Sequence, residues 1–365
     1  RANGGVCTRD GGGGGRIALF VTNALADFSA FTGTNSAYGA SRGAGTAGGA
    51  GTIYLEKQGD IPGKGQLIID NYGGTTGYAT TNAAITRWFT DLSGVDAVTY
   101  EFSRITLTNG GNLNIGSNDT LIVSNTVLVG AGGISNGIWI SGGRLLAPSA
   151  FVYSNLFIGI SATGSTFSPG TSLTIPTNAE FRVDKAHVVY GDVFVDAGGN
   201  LTHTANGSAE AYKIDLTVNG SLTVKTGGRV DVTGRGFTIG KGPGGGGADN
   251  KVGGSYGGRG HDEVSVTPFA SSRPCYGSIL APTDLGSGGS VAGDSGGGAI
   301  LLTVSGSLTN NGLICADGKS TTWDSGSGGS IYLTAGTLTG AGTIRANGGV
   351  CGRDGGGGGR IALVV

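Results

Sequence analysis

Side chains able to do chemistry are sparse in this chain: four cysteines, three histidines, and aspartates placed beside glycine runs. The densest polar group is Arg259-Gly260-His261-Asp262-Glu263. A histidine beside two carboxylates has the composition of a general acid–base site. Here it stands in a glycine-rich stretch with no nucleophile next to it, and solvated loop charge is the simpler reading. Asp192 and Asp196, in GDVFVDAGG, share one face of an extended segment. Glycoside hydrolysis uses paired carboxylates, but nothing basic or nucleophilic accompanies these two in the sequence. His187 and His203 fall in strand patterns and read as half-buried. No Asp-Asp or Gly-His-Gly segment is present. No catalytic residue is assigned, and a non-enzymatic protein is expected.

Asp10, Asp294, Asp317, Asp324 and Asp354 flank the glycine loops. Acidic glycine-rich loops can supply the oxygen ligands calcium needs. Both the EF-hand spacing and the GGxGxDxUx pattern are missing, however, and an aspartate in a turn usually bonds its own backbone. No cofactor or metal is expected, with calcium as the alternative. A phosphate-binding reading of the glycine runs fails because GxxxxGK[ST] does not occur.

The cysteines are Cys7, Cys275, Cys315 and Cys351, none in a CxxC pair, so zinc and thioredoxin-type chemistry are excluded. Cys315 lies in the strand-like ICADG and Cys351 follows RANGG one repeat later. Adjacent parallel strands lie about 4.8 Å apart, within disulfide reach when side chains align. A Cys315–Cys351 bridge is the leading expectation, with Cys7 bonding a preceding unit and Cys275 free or intermolecular. Buried reduced thiols are the alternative.

The elements that carry these residues are short strands. The chain has 365 residues, 78 of them Gly, and a formal net charge of −1. Collagen is excluded by the absence of a three-residue glycine period and by only 8 Pro. Near-zero charge gives no basic stripe for nucleic acid, and no apolar run is long enough to span a membrane. Met is absent, which is expected of a piece of something longer. The segments RIALF (16–20), TIYLE (52–56), AILLT (299–303), SIYLT (330–334) and RIALV (360–364) share one pattern, each after a glycine-rich stretch. Recurrence at 20–50 residues is a solenoid signature and stacks Ile on Ile and Leu on Leu. Between them, NLNIG, TLIVSNTVLVG, GIWISGGRLLA and similar runs alternate polar and apolar residues, separated by Asn-Gly or Gly-Gly. Helix patterns are nearly absent. An antiparallel sandwich competes, because Asn-Gly is also a hairpin signal. Tyr54 and Tyr332 occupy equivalent positions where an aromatic ladder would line one face, whereas Trp88, Trp139 and Trp323 read as core.

Residues 1–20, RANGGVCTRDGGGGGRIALF, return at 345–364 as RANGGVCGRDGGGGGRIALV, differing only at Thr8/Gly352 and Phe20/Val364. That echo suggests one unit of a tandem array. The strings GGAGTIYLEKQGD, GGSYGGRG, GGGAILLTVSGSLTNNGLICADG and GGSIYLTAGTLTGAGTIRANGG resemble glycine-rich β-helix repeats of very large secreted bacterial surface, adhesin or filament proteins. The resemblance implies a β-helix, an extracellular or cell-surface location, and adhesive or filament-forming roles; it brings no catalytic residue.

The expectation is therefore an all-β, right-handed parallel β-helix with glycine-rich corner loops, continuous over residues 1–365. It would stack end to end with copies of itself into a surface fibre. Surface polysaccharide is a second candidate partner, and the alternative function is a polysaccharide-binding or lyase-like β-helix.

Overall fold

A computed structural model describes the chain outside residues 5–11, 24–26, 30–31, 34, 40–48, 72–89, 92–97, 125–126, 132–135, 148–150, 247–251, 262–272 and 291–293. Among the described residues there are only strands and irregular connections, with no helix. The chain divides into two compact units, residues 1–180 and 181–365.

In the first unit, strands are short because polar–apolar alternation gives each a single buried face. Gln66–Asp70 buries Leu67 and Ile69, Thr120–Val123 buries Leu121 and Val123, and Ser172–Ile175 buries Leu173 and Ile175. Arg104–Thr108, Asn112–Gly116 and Thr120–Val123 lie in three different sheets, and the next three strands repeat the rotation. Each strand pairs in parallel with its counterpart one circuit later. The partners Ile105–Leu128, Val127–Val152 and Phe151–Leu173 are 23, 25 and 22 residues apart.

The Asn-Gly signals make corners here, not hairpins. Asn109 (φ 54°) and Gly110 (φ 78°) are both left-handed and redirect the chain between Arg104–Thr108 and Asn112–Gly116, which belong to different sheets. Hydrophobic faces are thereby satisfied by the following circuit, and the sandwich alternative fails. Among the described residues one hairpin does occur: Thr52–Lys57 runs antiparallel to Gln66–Asp70. It sets Tyr54 opposite Leu67.

The second unit stacks longer rungs in the same parallel manner. Ile214–Val218, Ala299–Asn310, Ser330–Thr339 and Arg360–Val364 form one ladder, and Arg229–Asp231, Leu313–Cys315 and Thr343–Arg345 form another. The expected stacking of like on like is present: Ile300 pairs with Ile331 and Ile331 with Ile361, Leu302 with Leu333 and Leu333 with Leu363. In the first unit Ile17 pairs with Ile53 and Leu19 with Leu55. The architecture is all-β with parallel strands, compatible with a β-solenoid.

Candidate functional site

The glycine-rich rungs repeat a hydrogen-bond set as well as a sequence. Just before four of the ladder strands, a glycine N–H donates to a carbonyl that precedes it in the same circuit of the chain. Gly329 donates to Ala316 (2.8 Å), Gly359 to Ala346 (2.7 Å), Gly15 to Ala2 (2.6 Å) and Gly298 to Val232 (2.9 Å).

A second set joins each rung to the next. The N–H groups of Ala316, Gly318 and Gly328 donate to the carbonyls of Arg345, Asn347 and Gly357, and Arg360 N–H returns a bond to Gly329 O, all at 2.8–3.0 Å. One rung earlier, Val232, Gly234 and Gly297 donate to Cys315, Asp317 and Ser327, and Ser330 returns a bond to Gly298. At the other end of the sequence, Ala2, Gly4 and Gly14 donate to Ser36, Tyr38 and Gly49, and Thr52 returns a bond to Gly15. Even the side-chain bond recurs: Asn347 N–H donates to Asp317 Oδ1 (2.7 Å) and Tyr38 N–H to Asn3 Oδ1 (3.0 Å). The marker is Ala-x-Gly, seen at Ala2-Asn3-Gly4, Ala37-Tyr38-Gly39, Ala316-Asp317-Gly318 and Ala346-Asn347-Gly348. This tripeptide is a sequence signal of the rungs beside their isoleucines.

Glycine is required here by backbone proximity. A Cβ at Gly297 would stand 2.0 Å from Ala316 O, one at Gly329 1.9 Å from Gly298 O, and one at Gly328 2.3 Å from Ala346 O. No side chain fits between rungs this close.

Exposure changes along the ladder. Ile331 and Leu333 are 0% and 2% exposed, whereas Ile361 and Leu363, stacked on them, are 42% and 46% exposed. Arg360–Val364 pairs only with Ser330–Thr339 among the described residues. In its rung, the N–H groups of Ala346, Gly348 and Gly358 have no protein partner among the described residues. These are the counterparts of the donors that Ala2, Gly4 and Gly14 use.

The cysteine expectation is corrected. Cys275, Cys315 and Cys351 are free thiols, and Cys7 lies outside the described residues. The ladder pairs Cys315 with Arg345, so the rung brings an arginine where a bridge needed Cys351. Cys351 sits six residues further on, past Val350, whose carbonyl accepts Thr321 N–H. The Cys315 thiol instead contacts Thr233 Oγ1 at 3.2 Å, and burial pushes its pKa up.

The loop aspartates do not behave as turn residues. Asp294, Asp324 and Asp354 are buried, and Asp324 and Asp354 bridge in parallel. The Arg353 guanidinium spans the pair, with Nε 2.8 Å from Asp324 Oδ1 and 3.1 Å from Asp354 Oδ2. Ser290 donates to Asp324 Oδ2 at 2.6 Å, and His261 Nδ1 bonds Asp354 Oδ1. Asp294 has no such cation, and burial raises its pKa to about 6 against the pull of Thr321 and Lys319. Among the described residues no cluster of His, Cys, Asp or Glu has the geometry to hold a metal ion. His261 thus anchors its loop to a buried carboxylate, a link invisible across 93 residues of sequence; Asp262 and Glu263 lie outside the described residues.

The other candidates are structural. His203 is fully buried, with Nδ1 donating to Thr204 O (2.7 Å) and Nε2 accepting Ala299 N–H (3.4 Å); burial pushes its pKa down to about 3. His187 is also buried, beyond the half-burial expected. Asp192 accepts Ser221 N–H, and Asp196 pairs with Lys225, a basic neighbour the sequence did not reveal. Trp323 is half-exposed beneath Arg353, not core, and Trp88 lies outside the described residues. The tyrosine ladder does not form: Tyr332 stacks between Leu301 and Ala362, and Tyr54 between Ala18 and Leu67. Tyr54 instead joins Phe20 and Phe102, at ring separations of 5.7 and 6.0 Å, around an open cleft of about 460 Å³. Tyr100, Arg16 and Glu56 are also among its lining residues. The Tyr54 hydroxyl bonds Glu56 and accepts Gly65 N–H, and burial raises its pKa to about 12.

No protein-family model, curated protein or solved structure matches this chain.

Proposed function

We propose that the chain is a right-handed parallel β-helix serving as a structural unit of an extracellular, cell-surface fibre in which copies stack end to end. Right-handedness follows the strong preference of parallel crossover connections, and the rotation of the chain through its sheets supports a solenoid. The observation carrying the function is the inter-rung bond set that recurs from rung to rung and that the near-identical rungs at 1–20 and 345–364 both use. A solenoid extends by adding layers that bond alike.

The test is electron microscopy and light scattering of the purified chain across a concentration series, beside Ile361→Lys/Leu363→Lys. Filaments or end-to-end oligomers that vanish in the double variant are expected. A wild-type chain that stays monomeric at every concentration defeats the reading.

A second reading, polysaccharide binding, is favoured by one feature, the aromatic cleft around Tyr54 with Arg16 and Glu56 at hand. Aromatic faces beside a few polar groups suit ring-shaped ligands. Titration of uronate oligosaccharides against Tyr100→Ala and the wild-type chain tests it; equal or absent binding removes it.

A further inference from the structure

Four Asn-x-Ser/Thr triplets occur in the chain: Asn118-Asp119-Thr120, Asn200-Leu201-Thr202, Asn206-Gly207-Ser208 and Asn219-Gly220-Ser221. Such a triplet is the acceptor for transfer of an oligosaccharide to the asparagine amide. The fold sorts the four into two classes. Asn206 is buried and fully engaged. Its Nδ2 donates to Tyr212 O (2.8 Å) and Arg235 O (2.9 Å), and its Oδ1 accepts the N–H groups of Ala211 (2.7 Å) and Tyr212 (2.8 Å). A sugar on Nδ2 would take away one of the two hydrogens that those bonds use. Asn200 stands within a ladder, opposite Arg229, with its Oδ1 buried. The hydroxyl of its triplet belongs to the fully buried Thr202 and donates to Asp231 O at 2.7 Å.

Asn118 and Asn219 are exposed, and both stand where the chain turns between strands. Asn118, at φ 76°, lies in the turn from Asn112–Gly116 to Thr120–Val123, which Asp119 N–H closes on Gly116 O at 3.1 Å. The turn uses the asparagine for its left-handed backbone, and the side-chain amide has no hydrogen-bond partner among the described residues. Asn219 lies in the corner from Ile214–Val218 to Leu222–Val224. Its backbone N–H donates to Val189 O at 2.9 Å, and its Oδ1 accepts Ser305 Oγ at 3.4 Å. Its Nδ2 has no partner among the described residues. At both positions the nitrogen that would carry a sugar is therefore one the fold does not use.

We propose that Asn118 and Asn219 are glycan attachment sites and that Asn200 and Asn206 are not. The proposal rests on the extracellular reading above, because the co-reactant is an oligosaccharide on a lipid pyrophosphate, met on a secretory route. In the transfer, Nδ2 forms a bond to the anomeric carbon of the donor sugar as the bond from that carbon to the pyrophosphate oxygen breaks. The lipid pyrophosphate leaves, one amide proton goes with it, and no oxidation or reduction takes place. Each glycan then projects from a corner of the chain. The inward faces of the strands and the close-packed glycine rungs, where no added group fits, stay clear of it.

The test is glycopeptide mass spectrometry and gel mobility of the chain made in its own cells, after separation of surface, secreted and cytoplasmic fractions. Variants that remove the hydroxyl of each triplet leave the asparagines and their bonds in place: Thr120→Val, Thr202→Val, Ser208→Ala and Ser221→Ala. Glycopeptides containing Asn118 and Asn219 are expected from the surface or secreted chain. Thr120→Val and Ser221→Ala should each lose one glycan and one step of gel mobility, and Thr202→Val and Ser208→Ala should lose none. A surface chain with neither Asn118 nor Asn219 modified overturns the proposal and leaves the extracellular reading intact. A glycan on only one of them overturns the assignment of the other, and a glycan on Asn200 or Asn206 of the folded chain overturns the sorting by burial. A chain confined to the cytoplasm overturns the extracellular reading, and the proposal with it.

Discussion

Substituting Gly297 and Gly355 by Ala separates backbone proximity from mere glycine content. Both precede ladder strands in glycine runs, and neither has a left-handed φ. At Gly297 the added Cβ would lie 2.0 Å from Ala316 O and 2.6 Å from Gly329 N, in the path of the Gly329–Ala316 hydrogen bond of 2.8 Å. The methyl group fits only if that bond opens or the rungs part. Each buried backbone group left unsatisfied costs about 1–3 kcal/mol, and overpacking adds about 1–3 kcal/mol. A loss of about 3–6 kcal/mol is expected, a large part of the ~5–15 kcal/mol of a typical domain. At Gly355 a Cβ meets nothing within 4 Å. There Ala is expected to be neutral or to stabilise by up to ~1 kcal/mol through a less flexible unfolded chain. Urea unfolding followed by far-ultraviolet circular dichroism reads both. Equal shifts for the two variants, or Gly297→Ala within ~0.5 kcal/mol of wild type, would refute the backbone-stacking account.

Ile331→Ala, at a fully buried position, should cost about 2–5 kcal/mol, and Ile361→Ala, 42% exposed, roughly half as much in the monomer; equal costs in urea titrations argue against an uncovered last rung. Asp294 has a folded pKa raised to about 6, so the native state holds its proton more tightly than the unfolded state and stability from this group falls as pH rises between about 4 and 6. Asp294→Asn should therefore be near neutral at pH 4 and stabilising at pH 7, and a pH-independent difference between the two unfolding curves would count against that shift. In thiol titrations Cys275 and Cys351 should react in the folded protein and Cys315 only after unfolding; reactivity of Cys315 in the native state would contradict its buried contact with Thr233.

The ladder strands were legible because their signal is local and periodic. The isoleucine at 300, 331 and 361 marks the same inward position in successive rungs, and register followed from aligning RIAL-like strings. What was not legible depends on where long connections fold back. His261 meets Asp354 because residues 252–261 lie along the glycine rungs, as in the Gly254–Ser325 and Gly258–Gly358 backbone bonds. No periodicity encodes that fold-back. The disulfide expectation failed for a related reason. The strings LICADG and TIRANGG align correctly, but the alignment places Cys315 against Arg345, so spacing alone misjudged the rung by six residues. The aromatic cleft was hidden by the antiparallel turn that puts Tyr54 opposite Leu67, where a continued parallel course was expected.

The strength of the end contact follows from the same bonds. A set of about five hydrogen bonds at ~0.5–1.5 kcal/mol each contributes roughly 3–7 kcal/mol. Covering the exposed parts of Ile361 and Leu363, 42% and 46% of each, adds about 1–3 kcal/mol at ~1.5–3 kcal/mol for a full side chain. Association costs on the order of 4–15 kcal/mol in lost freedom, the same size as the gain. Free copies should therefore join weakly and respond steeply to concentration. Joining two units in one polypeptide raises their effective concentration to about the millimolar range and removes most of that cost without a new contact. The positions that differ between the two repeated rungs accord with this balance. Phe20 and Val364 are both largely exposed, while every described residue contributing a backbone bond to the set is identical in the two copies. A rung held by backbone alone can accept its own duplicate as the next layer, provided that the glycines leave the approach open.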